Sequence, residues 1–309
     1  MNELNDYKYR GIIPPMITPL TKKKSIDHVA VEKIIDHLLI GGVNGLFILG
    51  STGEAQSLSY KLRQDLILRV CKYINNRKPI LVGITDTSIE ESLKLAEYAY
   101  KSGAHAVVSA PPYYYACNQE ELVSFYTLLA DELPLPLFLY NMPTHTKVNF
   151  NTGTIEKLSK HKNIIGLKDS SGDLIYFQKI IQLLKEKPVF TLLTGPEELL
   201  MQSILSGAHG GVSGGANMFP GLYVAMYEAS VGKNFERMSS LQEKIIKISS
   251  SIYSIGNSPA KYLQGVKCAL SLMGICNDTM APPYTSFGNK ERELVRKSLE
   301  KLNIEEVLT

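Results

Sequence analysis

The chain has 309 residues, 44% of them hydrophobic, which is enough to bury one large core or two ordinary ones. Its 33 basic and 30 acidic side chains nearly cancel and form no extended basic patch, so we expect no nucleic-acid partner. No apolar run approaches the about 20 residues that cross a bilayer, and the polar N-terminus lacks a secretory h-region, so we expect a cytoplasmic protein with no membrane partner.

Short apolar runs alternate along the chain with amphipathic segments. In chain order the runs are GIIPPMITP, GLFILG, PILVGIT, HAVVSAPP, PLFLYNMP, NIIGLKDS, VFTLLTGP and GGVSGGAN. The segments between them have helical periodicity: in residues 59–74, Leu62, Leu66 and Val70 fall on one face, and Ser59 stands where an N-cap belongs. Strands that alternate with helices predict a parallel sheet connected by helical crossovers.

The number of apolar runs decides between two parallel architectures. Eight strand and helix units in a little over 200 residues match a (β/α)8 barrel rather than an open doubly wound sheet. After about residue 217 the strand pattern stops and only amphipathic helical segments follow. We therefore predict a (β/α)8 TIM barrel carrying the active site over residues 1–216 and a C-terminal helical extension over residues 217–309.

A lysine ends the sixth apolar run, NIIGLK. Catalytic side chains of such barrels lie at the carboxyl ends of the strands. Lys168 is the only lysine that immediately ends one of these runs. A strand-end lysine is more often a surface charge whose stem covers apolar atoms. Burial in a barrel mouth instead disfavours the ammonium form, and a neutral amine attacks a carbonyl to form a Schiff base. We predict that Lys168 is a nucleophile.

Two further strand ends carry polar groups of matching chemistry. Tyr140 follows the fifth run, where a phenol facing Lys168 could carry protons, although a rim tyrosine with its hydroxyl in water is the simpler alternative. Residues 50–54, GSTGE, fit either a capping box between Ser51 and Glu54 or a tight loop with free N–H groups. Because a better cap follows this stretch, we predict the loop, which suits a small carboxylate.

Three other features give weaker indications. The tyrosines Tyr113 to Tyr115 could be interface packing or part of a site. GGVSGGAN could cradle a phosphate but has no lysine or arginine beside it. The four cysteines have neither a C-x-x-C pair nor the spacing of a zinc site, so we expect reduced thiols and no metal.

Five motifs, GSTGEA, PPYYY, YNMP, GLKDSSGD and GGVSGGAN, together resemble the dihydrodipicolinate synthase and N-acetylneuraminate lyase family of pyruvate-dependent class I aldolases. The resemblance runs from GIIPPMITPL to GVKCALSLMG, nearly the whole chain. It implies a (β/α)8 barrel, a homotetramer, and a covalent lysine Schiff base with pyruvate in place of any metal or organic cofactor.

The resemblance also implies roles for individual residues. Lys168 matches the Schiff-base lysine, and Tyr140 matches the tyrosine that relays protons. Ser51 and Thr52 match the pair that holds the pyruvate carboxylate. Tyr114 matches a tyrosine that reaches into the neighbouring subunit's site and extends the relay with Thr52.

Departures from the synthase branch concern the second substrate. Where that branch has the arginine that clamps the carboxylate of the aldehyde, this chain has His145, and where it has a glycine, this chain has Lys147. An arginine is always charged and donates two parallel hydrogen bonds to a carboxylate. A histidine near neutrality is mostly uncharged and cannot donate such a pair. The synthase reaction is therefore not our first expectation, although Lys147 could replace the arginine in part.

The lyase branch is matched at some positions and missed at one. Glu197 and Glu198 stand where that branch keeps an acidic pair for sugar hydroxyls, and Ser170 matches a hydroxyl residue that contacts the sugar. Val212 matches an apolar residue beside the pyruvate moiety, but Gly214 replaces the serine of the sialic-acid enzymes. A sialic-acid-like substrate, a 2-keto-3-deoxy sugar acid and a 4-hydroxy-2-oxo acid all remain open.

We therefore expect a class I aldolase or lyase that reversibly cleaves a 2-oxo acid to pyruvate and an aldehyde. One alternative is 4-hydroxy-tetrahydrodipicolinate (dihydrodipicolinate) synthase, which condenses pyruvate with aspartate semialdehyde. Another is a non-catalytic sugar-acid sensor on the same barrel, although a sensor has no use for a nucleophilic lysine.

Overall fold

The eight apolar runs form the eight strands of one parallel sheet in the computed structural model, which describes residues 8–187 and 189–302. Strands β2 to β8 pair in chain order, and β1 pairs with β8. The strands are β1 (Gly11–Ile12), β2 (Leu46–Ile48), β3 (Ile80–Gly83), β4 (Ala106–Ser109), β5 (Leu137–Asn141), β6 (Ile164–Asp169), β7 (Thr191–Thr194) and β8 (Gly210–Gly211).

The barrel closes where the chain beyond β1 meets β2. Pro15 and Phe47 form an isolated parallel bridge, in which the Met16 N–H donates to the Phe47 carbonyl at 2.9 Å. The Phe47 N–H donates in turn to the Pro14 carbonyl at 3.0 Å. Because proline has no N–H, the two prolines interrupt the ladder and leave β1 only two residues long. The predicted (β/α)8 barrel is confirmed.

The core consists of two apolar clusters. One fills the barrel interior, and the other lies between the strands and the surrounding helices. The interior cluster contains Phe138 and Tyr140 of β5, two residues apart, as alternation along a strand requires. Gly166 on β6 leaves room for the Phe138 ring, since an added Cβ would lie 2.3 Å from it. By the same alternation Lys168, two residues beyond Gly166, points into the barrel.

Helices surround the sheet and extend past it. The predicted cap of the second helix is confirmed, because the Ser59 hydroxyl accepts from the Leu62 N–H at 3.3 Å. No helix in the described part of the chain is long and apolar enough to span a membrane. The helices are α1 (His28–Ile40), α2 (Tyr60–Ile74), α3 (Ile89–Ser102), α4 (Gln119–Glu132), α5 (Pro143–Thr146), α6 (Thr152–Leu158), α7 (Leu174–Leu183), α8 (Leu200–Leu205), α9 (Pro220–Val231), α10 (Phe235–Ser251), α11 (Lys261–Leu272) and α12 (Asn289–Lys301).

The C-terminal part of the chain is helical, as the sequence predicts, and residues 217–302 contain no strand. Helix α9 follows β8 and packs against α8 and β1, which is the place of an eighth barrel helix. The division of the chain at residue 217 stays a prediction. Residues 1–7, which carry most of the polar N-terminus, and residues 303–309 lie outside the described residues.

Candidate active site

Lys168 and Tyr140 lie side by side at the carboxyl end of the barrel. They are register partners on the adjacent strands β6 and β5, rather than facing each other across the mouth. The Lys168 Nζ is 4.0 Å from the centroid of the Tyr140 ring and 5.0 Å from that of Phe47. Both side chains are buried, each with 5% of its surface exposed. The amine is thus held among aromatic rings at the top of the barrel interior.

The environment of Tyr140 favours its ionised form. Burial by itself raises the pKa of this phenol, but the charge of Lys168 opposes burial. Hydrogen bonds with the side chains of Ser51, Lys168 and Ser170 act in the same direction as that charge, and the pKa of Tyr140 falls below its ordinary value. The Ser51 Oγ lies 3.3 Å from the Tyr140 hydroxyl oxygen. A phenol in this position is suited to exchanging protons with a molecule attached to the lysine.

The predicted loop of residues 50–54 lies next to this pair. Leu49 and Glu54, which flank its polar residues, both adopt the left-handed conformation, with φ of 57° and 56°. Such a backbone is strained for a branched residue such as leucine and is found at functional sites. Among the described residues, the N–H groups of Ser51 and Thr52 donate to no protein acceptor. The loop therefore presents two free N–H donors beside Tyr140, where a carboxylate could bind.

Glu54 forms a buried ion pair with Lys267 of α11 instead of a capping box with Ser51. Its second carboxylate oxygen accepts from the Ala281 N–H at 2.7 Å. The Lys267 ammonium also donates to the Thr279 carbonyl at 2.7 Å, and its side chain is fully buried. The C-terminal helices thereby fix the end of the loop that carries Ser51. No local pattern in the sequence could reveal a pair whose members lie 213 positions apart.

Asn141 and Asp169, the register partners next to Tyr140 and Lys168, hold the two strand ends together. The Asn141 amide donates to the Asp169 carboxylate at 2.7 Å and to the Asn149 side chain at 2.8 Å. The Ser170 N–H donates to the Asn141 carbonyl at 2.8 Å. These bonds explain why an asparagine follows Tyr140: its amide fixes the strand ends and therefore the spacing of the phenol and the amine.

Glu197 is buried behind the mouth rather than open to it. One carboxylate oxygen accepts from the hydroxyls of Tyr223 and Tyr253, each at 2.6 Å, and the other accepts from the Gly215 N–H at 2.7 Å. Burial raises the pKa of Glu197 in spite of these three hydrogen bonds. Both oxygens already have protein donors, so the structure does not bring this side chain together with Lys168.

Tyr262, which sequence reasoning missed, reaches the mouth from the C-terminal helix α11. Burial raises the pKa of its hydroxyl well above the ordinary value, and an interaction with the Thr52 side chain opposes that rise. A Cβ at Gly214 would lie only 1.5 Å from this hydroxyl. The tyrosine belongs to a segment with no strand of its own, so a search at strand ends could not find it.

Both basic residues of the YNMPTHTK motif are exposed. His145 is in the short helix α5, where partial burial, followed by the charges of Lys147 and Lys168, lowers the pKa of its imidazole. His145 is therefore uncharged near neutrality. Lys147 follows this helix, and its ammonium donates to the Thr144 carbonyl at 2.8 Å.

The remaining predicted residues lie at opposite extremes of burial. Val212 is buried in the interior cluster that also contains Tyr140. Tyr114 lies in the loop after β4 with 79% of its surface exposed, and its ring packs edge-on against Tyr115. Within one chain, the structure therefore does not bring Tyr114 together with Thr52.

The sequence and fold match known proteins over almost their full length. The chain matches the Dihydrodipicolinate synthetase family over residues 8–302. It is 32% identical over 300 residues to the 4-hydroxy-tetrahydrodipicolinate synthase of Methanopyrus kandleri, covering 96% of this chain and 98% of the relative. A solved structure of dihydrodipicolinate synthase from Bacteroides thetaiotaomicron is 51% identical, with a TM-score of 0.93, and covers 97% of this chain and 100% of that chain. The prophage protein YagE of E. coli K12, solved in complex with pyruvate, is 26% identical, with a TM-score of 0.91 over 96% of this chain and 99% of its own.

Proposed function

The chain belongs to the dihydrodipicolinate synthetase family, and on that basis we propose that Lys168 forms a Schiff base with pyruvate in a reversible carbon–carbon lyase reaction. Membership makes the protein an enzyme of the class I aldolase type. One observation carries the assignment of these residues: the buried Lys168 Nζ lies 4.0 Å from the centroid of the Tyr140 ring. The free N–H groups of Ser51 and Thr52 lie beside this pair.

The first half of the reaction makes the covalent intermediate. Lys168 first transfers a proton to the Tyr140 phenolate. Its amine then attacks the C2 ketone of a 4-hydroxy-2-oxo acid, and the resulting carbinolamine loses water to form a protonated imine. Ser51 and Thr52 hold the adjacent carboxylate through their N–H groups. Val212 packs beside the three-carbon unit. Tyr140 supplies the proton that leaves with the hydroxyl as water.

The second half breaks the carbon–carbon bond. Tyr140, as phenolate, takes the proton of the C4 hydroxyl, the C3–C4 bond breaks, and its electron pair moves into the imine to give an enamine and a free aldehyde. The lowered pKa of Tyr140 favours the phenolate that this step needs. Protonation of the enamine at C3 and hydrolysis of the imine then release pyruvate and restore the amine of Lys168.

A second candidate is the synthase reaction, the condensation of pyruvate with aspartate semialdehyde. The observation that favours it is the name of the relatives, 4-hydroxy-tetrahydrodipicolinate synthase at 32% identity and dihydrodipicolinate synthase at 51%. His145 argues against this reaction. Its imidazole is uncharged, and it stands where the synthase branch has an arginine that holds the carboxylate of the aldehyde. We place the cleavage of a 4-hydroxy-2-oxo acid first for that reason.

The assembly and location of the enzyme belong to the same proposal. We propose a cytoplasmic homotetramer in which Tyr114 of one subunit extends the relay of a neighbour through Thr52, with Ser170 facing the aldehyde half of the substrate. The exposure of Tyr114 within one chain supports a role at a subunit interface, because large exposed aromatic side chains are enriched there.

Mass spectrometry after borohydride reduction tests the proposal. In the presence of pyruvate, the protein should gain one reduced pyruvate adduct, and peptide mapping should place it on Lys168. Lys168→Ala should lose both the adduct and turnover, whereas Lys160→Ala, at an exposed lysine, should lose neither. Near-normal turnover of Lys168→Ala, or an adduct on another lysine, would refute the assignment.

A further inference from the structure

Tyr262 lies against the segment that follows β8 at the carboxyl end of the barrel. Helix α11 carries it to a point where its hydroxyl contacts the segment after β8, at Gly214, and the loop after β2, at Thr52. The side chain thus occupies the space between two elements that border the proposed pyruvate site.

A hydrogen-bonded cluster holds Tyr262 in this position. Its ring packs edge-on against Tyr253, with ring centroids 4.7 Å apart and planes at 75°. The Tyr253 hydroxyl donates to Glu197 at 2.6 Å, as does the hydroxyl of Tyr223. We call these three tyrosines and Glu197 the tyrosine wall. Because the carboxylate binds two hydroxyls and a backbone N–H, the wall is anchored to both the barrel and the extension.

The two glycines of the last motif allow the backbone to approach the wall. At Gly214, a Cβ would lie 1.5 Å from the Tyr262 hydroxyl, and at Gly215, a Cβ would lie 2.0 Å from the Tyr223 hydroxyl. Neither position can carry a side chain while the tyrosines stay in place. The hydroxyl that lies against Gly214 therefore belongs to Tyr262, and the Glu197 carboxylate behind it already accepts three hydrogen bonds.

We expect the second substrate to lie beside the ends of β5 and β6. Ser170 follows β6 and His145 lies in the helix after β5, and these side chains interact with Tyr140 and Lys168 respectively. These are two small neutral groups, enough for a short aldehyde but few for a chain with many hydroxyls. A long polyhydroxylated chain would leave most of its hydroxyls without protein partners.

We propose that Tyr262 sets the substrate range of this enzyme, closing the mouth on the side of Gly214 so that only a short aldehyde is accepted opposite pyruvate. The inference rests on the proposed function, since it presupposes a pyruvate imine on Lys168. It identifies the excluded class as 2-keto-3-deoxy sugar acids with extended polyhydroxylated tails.

Cleavage of a series of 4-hydroxy-2-oxo acids with tails of increasing length tests this inference. The parent enzyme should prefer the shortest member. Tyr262→Ala should raise the ratio of kcat/KM for long-tailed to short-tailed substrates by about tenfold or more, the usual scale for steric discrimination in a pocket. Tyr262→Phe keeps the ring and should keep the parent's preference. If Tyr262→Ala folds poorly, Tyr262→Leu is measured in its place and should shift the ratio in the same direction.

The control is Tyr284→Ala, which removes a partly exposed tyrosine from the same extension and should leave the ratio unchanged. Borohydride trapping with pyruvate is run on every variant. If the parent forms no adduct on Lys168, the proposed function itself has failed. If the adduct forms but the parent cleaves long and short substrates equally well, or the ratio does not move in Tyr262→Ala, only the role of Tyr262 is refuted.

Discussion

At the scale of single residues, the proposed chemistry depends on the contact between Tyr140 and Lys168. Strand register makes them neighbours. One residue further along both strands, a hydrogen bond from the Asn141 side-chain amide to the Asp169 carboxylate fixes their spacing. The charge of the lysine then lowers the pKa of the phenol, overcoming the effect of burial. In the proposed mechanism, this one pair of side chains supplies both a nucleophile and a proton carrier.

Tyr140→Phe should separate these two roles. It leaves Lys168 in place, so the pyruvate adduct should still form after borohydride reduction. Loss of a general acid–base should lower kcat by roughly 10²–10⁴. The matched control is Tyr126→Phe, which removes a buried hydroxyl outside the site that donates to the Ser109 carbonyl. This change should lower the free energy of unfolding by about 1 kcal/mol and leave kcat unchanged. A Tyr140→Phe enzyme with unchanged kcat in steady-state assays would exclude the phenol from the relay.

His145 should make the use of a carboxylate-bearing aldehyde dependent on pH. Burial and the two nearby lysines lower the pKa of His145, so the imidazole gains its charge only below the ordinary value of about 6.5. Condensation of pyruvate with aspartate semialdehyde should be weak at pH 7–8. Relative to pyruvate trapping at the same pH, it should increase as the pH falls below that value.

His145→Arg should remove this dependence on pH. A permanent charge should raise kcat/KM for aspartate semialdehyde about tenfold or more, since a hydrogen bond to a charged group contributes about 1.5–3 kcal/mol. His28→Arg, at an exposed histidine, is the control and should have no effect. Strong synthase activity of the parent at pH 8 would contradict our ranking of the two reactions.

At the scale of elements, the extension is part of the site. Helix α11 contributes both Lys267, which binds Glu54 at the end of the loop of residues 50–54, and Tyr262, which contacts Thr52. The loop carries left-handed residues at both ends, a conformation that needs support from its surroundings. The helices after the barrel provide that support.

Lys267→Met should destabilise the protein by about 3–5 kcal/mol, because it leaves the Glu54 carboxylate buried without its partner. The double variant with Glu54→Gln should recover part of this loss, since no buried charge is then unpaired. Urea unfolding measures both changes. A loss below about 1 kcal/mol in Lys267→Met would mean that the ion pair does not support the loop. The KM for pyruvate should rise in the single variant because Ser51 and Thr52 are held less firmly.

At the scale of the whole molecule, one chain does not complete the proposed relay. The Thr52 side chain interacts with Tyr262 of its own chain, while Tyr114 has most of its surface exposed. A hydroxyl group can donate one hydrogen bond and accept two, so Thr52 has capacity for a second tyrosine supplied by a neighbouring subunit.

Mixed oligomers should therefore show complementation between two weak variants. Lys168→Ala lacks the nucleophile and Tyr114→Phe lacks the interface hydroxyl. When the two are refolded together, some subunits should combine an intact Lys168 with an intact Tyr114 from the neighbour. Turnover should exceed the sum of the separate variants severalfold, and sedimentation should show a tetramer. Tyr115→Phe is the control for Tyr114→Phe. By itself it should lose no turnover, and refolding it with Lys168→Ala should give no turnover above the sum of the separate variants. A fully active monomer would remove the role of Tyr114.

The sequence by itself determined the barrel and led to the residues that we propose as reactive groups. Eight apolar runs separated by amphipathic helices can be recognised from local sequence alone. Each strand buries apolar side chains on both of its faces, and each helix buries one apolar face. Polar residues that end those runs necessarily meet at one end of the barrel, so Lys168, Tyr140 and the loop of residues 50–54 were accessible from the order of the chain alone.

Only the tertiary structure decided what surrounds those groups. The sequence did not reveal that Lys168 and Tyr140 are adjacent, that two tyrosines donate to Glu197, or that α11 carries Tyr262 and Lys267 to the candidate site. Each of these contacts joins residues that are distant along the chain, and their side chains meet only when the strands close and the extension packs on the barrel. Periodicity reports on a residue's own element, whereas burial, pKa shifts and steric exclusion depend on neighbours from other elements.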